Sequence, residues 1–165
     1  MKKIIVVLLL FSGLMAIKAQ ENFLQINGST NINTFKCINK TFKTPSGTSF
    51  SERLPGYNLQ VNEFDCFNKI MTKDFQKTLS SDKYPYLIIK ILKFTKSQNA
   101  YYAVVEVLMM NRSKNYNVIF TLENGKYIGR KNVKFSEFNI QPPKKMGGMI
   151  VVKDDLDLIF SLVAK

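Results

Sequence analysis

Along most of the chain, apolar and polar residues alternate or gather into short β-branched runs, separated by clusters of Gly, Pro, Asn and Ser. Runs at 22–27, 32–42, 58–66, 86–95, 100–110, 116–123, 126–136 and 150–163 each predict a strand. Breaks fall at Pro45-Ser46-Gly47, Pro55-Gly56, Ser97-Gln98-Asn99, Asn111-Arg112-Ser113 and Pro142-Pro143. Asn124-Gly125 predicts a tight hairpin, because both residues tolerate positive φ. No repeat and no low-complexity linker interrupts the series. The expectation is one antiparallel all-β domain, closed into a barrel or folded as a sandwich.

One stretch departs from this pattern. Met71, Phe75 and Leu79 stand four apart, on one face of a helix, while Lys69, Lys73, Asp74 and Lys77 fill the other. The spacing predicts a helix over 69–80, capped by Asn68 and followed by the extended Tyr84-Pro85. Three apolar anchors are too few for it to stand alone, so it must dock on the sheet. It is expected to close one end or face of the barrel, and in a sharper version to touch a ligand there.

Several strands are apolar on both faces. Only Lys90 interrupts Leu87 to Leu92, and only Glu106 interrupts Tyr101 to Met110; Asp157 and Ser161 interrupt Leu156 to Val163. A sheet with one wet face should alternate more cleanly. One covering is the barrel interior; the other must be the helix, a second layer, or a partner subunit in a homodimer.

The first nineteen residues read as a signal peptide: a basic Met1-Lys2-Lys3, an apolar Ile4 to Ile17, and a small Ala19 before a cut at Gln20. The domain is then expected over 20–165, in the periplasm or outside the cell, with no transmembrane segment. Of the formal charge of +12, Lys2, Lys3 and Lys18 lie in the leader, leaving +9. These charges are scattered, so a solvated surface explains them better than a nucleic-acid partner.

Cys37 and Cys66 form an even pair, which in an oxidising compartment is expected to be a disulfide; two free buried thiols are the alternative. Both occur in the phrases Phe35-Lys36-Cys37 and Phe64-Asp65-Cys66, where residues two apart share a strand face. Strands 32–42 and 58–66 are therefore expected to pair antiparallel through the connection at 43–57.

The sequence has no histidine, which excludes Ser-His-Asp and Cys-His catalysis and imidazole-based zinc or haem sites. No glycine-rich phosphate loop is present. Met146-Gly147-Gly148-Met149 reads as a turn before the last strand. Asp154, Asp155 and Asp157 lack the spacing of a calcium loop and read as a solvated strand entry. An enzyme is not expected, nor a metal or cofactor.

Several phrases recur in a telling order: Gly28-Ser29-Thr30-Asn31-Ile32-Asn33-Thr34-Phe35, then Asn68 to Phe75, Leu79, Asp82-Lys83-Tyr84-Pro85, Phe138-Asn139-Ile140-Gln141-Pro142-Pro143 and Met149 to Leu156. Together they resemble the YceI-like family of exported, lipocalin-like proteins associated with polyisoprenoid and lipid binding. The resemblance implies an antiparallel lipocalin-like β-barrel with an elongated apolar interior and one short helix packed against it. It also implies an apolar ligand, such as an isoprenoid, quinone or fatty acyl chain. Expected wall residues are Phe35, Phe64, Ile89, Ile91, Val105, Val107, Phe120 and Phe160. The chain departs from the family in a shorter N-terminal strand pair and in Asn111-Arg112-Ser113-Lys114, where a Gly-Val-Thr-Lys-like turn is usual. A shorter cavity, or one filled by the chain's own Phe and Met side chains, would follow. The second expectation is a ligand-free structural or interaction module of the cell envelope.

Overall fold

The computed structural model describes residues 21–164, so the leader expected over 1–19 lies outside the described residues. Each apolar run becomes a strand: β1 Phe23–Thr30, β2 Thr34–Asn39, β3 Gly56–Gln60, β4 Tyr86–Ser97, β5 Ala100–Met109, β6 Arg112–Glu123 and β7 Lys126–Lys134. A two-residue β8, Lys144–Lys145, precedes the long β9, Ile150–Val163. Every pairing is antiparallel, in the order β2-β1-β9-β7-β6-β5-β4-β3, with β8 on β9. The eight main strands curl through 235° into a half-barrel.

Alternation decides which side chains enter it. In β5, Ala103, Val105, Val107 and Met109 are buried, and in β9 Leu156, Leu158, Phe160 and Leu162 are. Fully burying a large apolar side chain contributes roughly 1.5–3 kcal/mol, so these stripes fix the inner face. Two local features adjust the fit. The β4–β5 register slips between Ile91 and Lys93, leaving Leu92 as an extra residue; Ile91 and Phe94 therefore both turn inward. Gly129 lies opposite Phe120, and a Cβ there would come within 2.6 Å of the ring. Asn124 and Gly125 make the expected hairpin, with φ of 48° and 73°. The next turn back falls on Met110-Asn111 rather than 111–113, with φ of 46° and 61°.

The outer face of β4–β6 remains uncovered by the helix. Tyr102 and its cross-strand partner Ile119 stay about half exposed.

One end of the half-barrel is plugged by aromatic rings. The 40–55 connection brings in Phe42, 5.4 Å from Tyr57, and Phe50, 4.7 Å from Phe94 and 4.6 Å from Tyr127. Burial pushes the Tyr57 phenol up to about 12, with Thr44 partly offsetting the shift. Buried Asn22 ties this end together: its amide donates to the Phe42 carbonyl and the Thr44 hydroxyl, and its oxygen accepts from Val163 N at 2.8 Å.

The sequence expectation of a β2–β3 ladder is corrected. β2 pairs with β1 and β3 with β4, so the two are the opposite edges of the sheet. The 58–66 run leaves the strand at Gln60 and turns through a short 3-10 segment, Val61–Glu63, where Val61 N donates to Pro85 O. Backbone pairing with β2 is confined to the tail of the run. Ile38 and Asp65 exchange two backbone hydrogen bonds of 2.9 Å, and Asn39 Nδ2 donates to Gln60 O at 2.9 Å. The neighbouring pair, Cys37 and Cys66, is a disulfide with Cα atoms 4.0 Å apart.

That disulfide spans 29 residues of sequence, and in the chain-entropy model its closure contributes roughly 3–4 kcal/mol. Cys37→Ser should lower the denaturant midpoint accordingly and leave Cys66 open to a thiol reagent on unfolding. A variant as stable as the wild type would show that the seam is held without it.

Candidate functional site

At the other end, where β2 and β9 begin, three elements converge: helix α1 (Lys69–Thr78), the 3-10 turn Phe135–Phe138 after β7, and the β8–β9 hairpin. Asn68 caps α1 as expected, its side-chain oxygen accepting from Ile70 N at 2.9 Å and Met71 N at 3.1 Å. Phe75 and Leu79 are buried, and Phe75 lies 5.3 Å from Phe64. Met71, one turn earlier, is only half-buried, because α1 bridges an opening there.

That opening is a cavity of about 360 Å³. Ile70, Met71 and Phe75 form its helical wall; Phe35 and Phe135 lie on the barrel side, and Pro143, Met146, Ile150 and Val152 on the far side. Apart from Thr30 and Thr78, its only polar lining comes from Asp74 and Lys145, and these neutralise each other across 2.7 Å. The pair joins α1 to β8 over the mouth. Both side chains are partly exposed, so it contributes at most about 1 kcal/mol.

Each wall residue has a local cause. Phe35 pairs with Gly28 across β1 and β2, and its ring lies against the space a Gly28 Cβ would occupy. Phe135 is held by the turn that carries it. Ser136 N and its hydroxyl donate to Asp154 at 2.8 and 2.5 Å, and Lys134 N donates to Glu137 at 2.7 Å. Asn139, with φ of 57°, ends the turn. Below Phe120 and Gly129, β6 and β7 part, and the Tyr116 hydroxyl donates to Glu137 across 3.0 Å. Burial pushes the Tyr116 phenol up, and the facing Glu137 carboxylate adds to the shift. The Ser136 hydroxyl holds the Asp154 carboxyl below its usual range, with help from the Ser136 amide and Lys134.

Of the eight wall residues expected from sequence, Phe35 lines this cavity. Phe64, Ile89, Ile91, Val105, Val107, Phe120 and Phe160 point into the half-barrel but pack against one another, between 0 and 3% exposed. Phe135, Pro143, Met146, Ile150 and Val152 escaped the sequence reading. The sequence placed them in strands 126–136 and 150–163 and in the turns at Pro142-Pro143 and Met146-Met149, with nothing to bring them to one cavity.

A larger concavity, about 680 Å³, lies on the outer face of β1, β2, β7 and β9. Its lining mixes Phe35 with Gln25, Asn27, Lys36, Asn132, Asp155 and Asp157, so an apolar chain there would desolvate several charged and amide groups. Among the described residues no group of three His, Cys, Asp or Glu side chains is placed to hold a metal, and no helix is long and apolar enough to cross a membrane.

No protein-family model and no curated protein matches the sequence. Solved structures match the fold. BcnA from Burkholderia cenocepacia is similar at a TM-score of 0.70 and 17% identity, over 87% of this chain and 96% of that one. A polyisoprenoid binding domain from Saccharophagus degradans, implicated in plant cell wall breakdown, gives 0.63 at 8% identity, over 87% and 94%. A Campylobacter jejuni YceI protein gives 0.55 at 13%, over 82% and 83%. The chain therefore has the YceI-like fold, a lipocalin-like curled sheet with one helix.

Because folding lowers the Asp154 pKa, the carboxylate contributes stability above the ordinary carboxylate range, and that share is lost as the pH falls from that range through the lowered folded-state pKa. Denaturant unfolding from neutral to acid pH should show a shallower loss for Asp154→Asn than for the wild type. Parallel profiles would mean that the Ser136 contact does not stabilise the turn.

Proposed function

We propose that this is an exported binding protein that takes an apolar chain, such as an isoprenoid, quinone or fatty acyl group, into the helical end of its half-barrel. The observation that carries this reading is the apolar cavity under α1, whose only charged lining is an ion pair already satisfied within itself. A cavity of this size lies at the small end of ligand sites and suits one end of a chain. No catalytic group is required. Each methylene withdrawn from water contributes roughly 0.8 kcal/mol. Phe35, Met71 and Phe135 contact the chain first. Phe64, Phe120 and Phe160, with Ile89, Ile91, Val105 and Val107, form the interior beyond, which a longer chain enters only if rings swing aside.

Support comes from three sides. The fold is shared with a domain described as polyisoprenoid-binding. The Cys37–Cys66 bridge belongs to the chemistry of an oxidising compartment, as expected of an exported protein. The wall residues Phe35 and Met71 are only partly buried, whereas Phe75 and Phe135 beside them are buried, as contact residues awaiting a ligand would be.

A second reading, a ligand-free module of the cell envelope, is favoured by one observation: most of the interior is filled by the protein's own side chains. It predicts an empty extract and a homodimer through the exposed Tyr102 and Ile119 face.

Native mass spectrometry of the exported protein, with palmitate or farnesol added, separates the two. The carrier reading expects a bound chain and, at about a hundredfold excess over Kd, a stabilisation of ~2.7 kcal/mol. Met71→Asp, which puts a carboxylate in the wall, should weaken binding at least tenfold. Protein that stays ligand-free, with no thermal shift from any chain length, would sink it.

A further inference from the structure

The rim of the cavity carries apolar side chains that folding alone does not require. Ile70 is 74% exposed, Met149 67%, Met146 66% and Ile32 61%. They come from three segments brought to one place. Ile70 and Met146 both line the cavity. The Asn31 side chain donates to Met149 O and accepts from Val151 N, both at 2.9 Å, which ties the turn that carries Ile32 to the 149–151 segment.

The Met146-Gly147-Gly148-Met149 turn is shaped to project. Its φ values run 51°, 64° and 95° at Met146, Gly147 and Gly148, and a Cβ on either glycine would meet nothing within 4 Å. The glycines serve the backbone conformation and not packing, so the two methionines stand on a tip clear of the sheet. Methionine is flexible and polarizable, suited to a soft, irregular apolar surface. The segments that bear these side chains are basic on balance: 67–74 and 143–155 carry Lys69, Lys73, Lys144, Lys145 and Lys153 against Asp74, Asp154 and Asp155. All of these lysines except the paired Lys145 are exposed.

We propose that this rim docks on an anionic lipid bilayer. Met146, Met149, Ile70 and Ile32 enter the boundary between headgroups and acyl chains, and the lysines sit over acidic headgroups. Apolar residues flanked by lysine are the composition that an anionic interface selects. A second copy of the chain is disfavoured as occupant, because face-to-face docking would bring lysine against lysine. The inference goes beyond the ligand reading and does not depend on it, since the rim can dock whether or not the cavity fills.

The test is sedimentation with vesicles of phosphatidylcholine mixed with phosphatidylglycerol, against pure phosphatidylcholine. Wild type and variants are purified as exported, and intact mass establishes that they share one N-terminus. The wild type should bind the acidic vesicles preferentially and be released by high salt. Lys144→Gln and Lys153→Gln should each weaken binding about fivefold. The double variant Ile32→Ser with Met149→Ser should weaken it at least tenfold. None of these four positions lines the cavity, so uptake of free palmitate should be unchanged in all of them. Binding equal on neutral vesicles, binding unchanged in the variants, no vesicle binding at all, or a dimer that the double variant abolishes would each overturn the proposal. Vesicle binding without palmitate uptake would uphold it and count against the carrier reading alone.

Discussion

The structure depends on one short seam. A sheet curled through 235° has two edges, and here the segment that follows one edge strand, β3, reaches the other, β2, where Ile38 and Asp65 exchange backbone hydrogen bonds and Cys37 and Cys66 are bonded. An open sheet of this length would present two unpaired edges; the seam joins them with a covalent bond and a few hydrogen bonds. It also sets the helical end. Cys66 N donates to Thr72 Oγ1 at 3.0 Å and the Gln76 amide donates to Asn62 O at 3.1 Å, so the seam segment carries α1 with it. On the other edge, Phe35 lies two residues before Cys37 on the same strand face, which delivers its ring to the mouth. Wall and lid are thus both fixed from the two sides of one disulfide.

The interior and the mouth obey different rules. Inside, Phe64, Phe120 and Phe160 are buried in the half-barrel, and packing there stabilises the fold. At the mouth, the 135–152 region supplies short hairpins and 3-10 turns, whose side chains meet α1 without filling the gap. The cavity exists because α1 has one fully buried ring, Phe75, and a half-buried Met71 where a second ring would have closed it. The packed interior and the open cavity therefore lie at different depths of the same half-barrel.

Much of this was legible in the residues. Strand positions followed from alternation, the helix from Met71, Phe75 and Leu79, the hairpin from Asn124-Gly125, and the disulfide from an even pair of cysteines in a chain read as exported. Sheet order was not, because pairing partners lie far apart in sequence; the 58–66 run was therefore read as a strand partner of 32–42 when its backbone pairs with β2 only at Asp65. The bulge at Leu92 was hidden by an unbroken apolar run. Period-two patterning says which residues face inward, but not whether space remains beside them, so Phe35 and Phe120 looked alike. The mouth residues Phe135, Ile150 and Val152 take their places from tertiary hydrogen bonds such as Ser136–Asp154 and Asn31–Met149, which no local pattern announces.

Whether an apolar chain enters at the helical end is tested most directly by methyl NMR with a stearate carrying a nitroxide at the far end of its chain. The account predicts broadening first at Met71, Met146 and Val152, with Met109 in the packed interior and Ile119 on the outer face left sharp. Broadening confined to Ile119, or spread evenly over all exposed methyls, would contradict it.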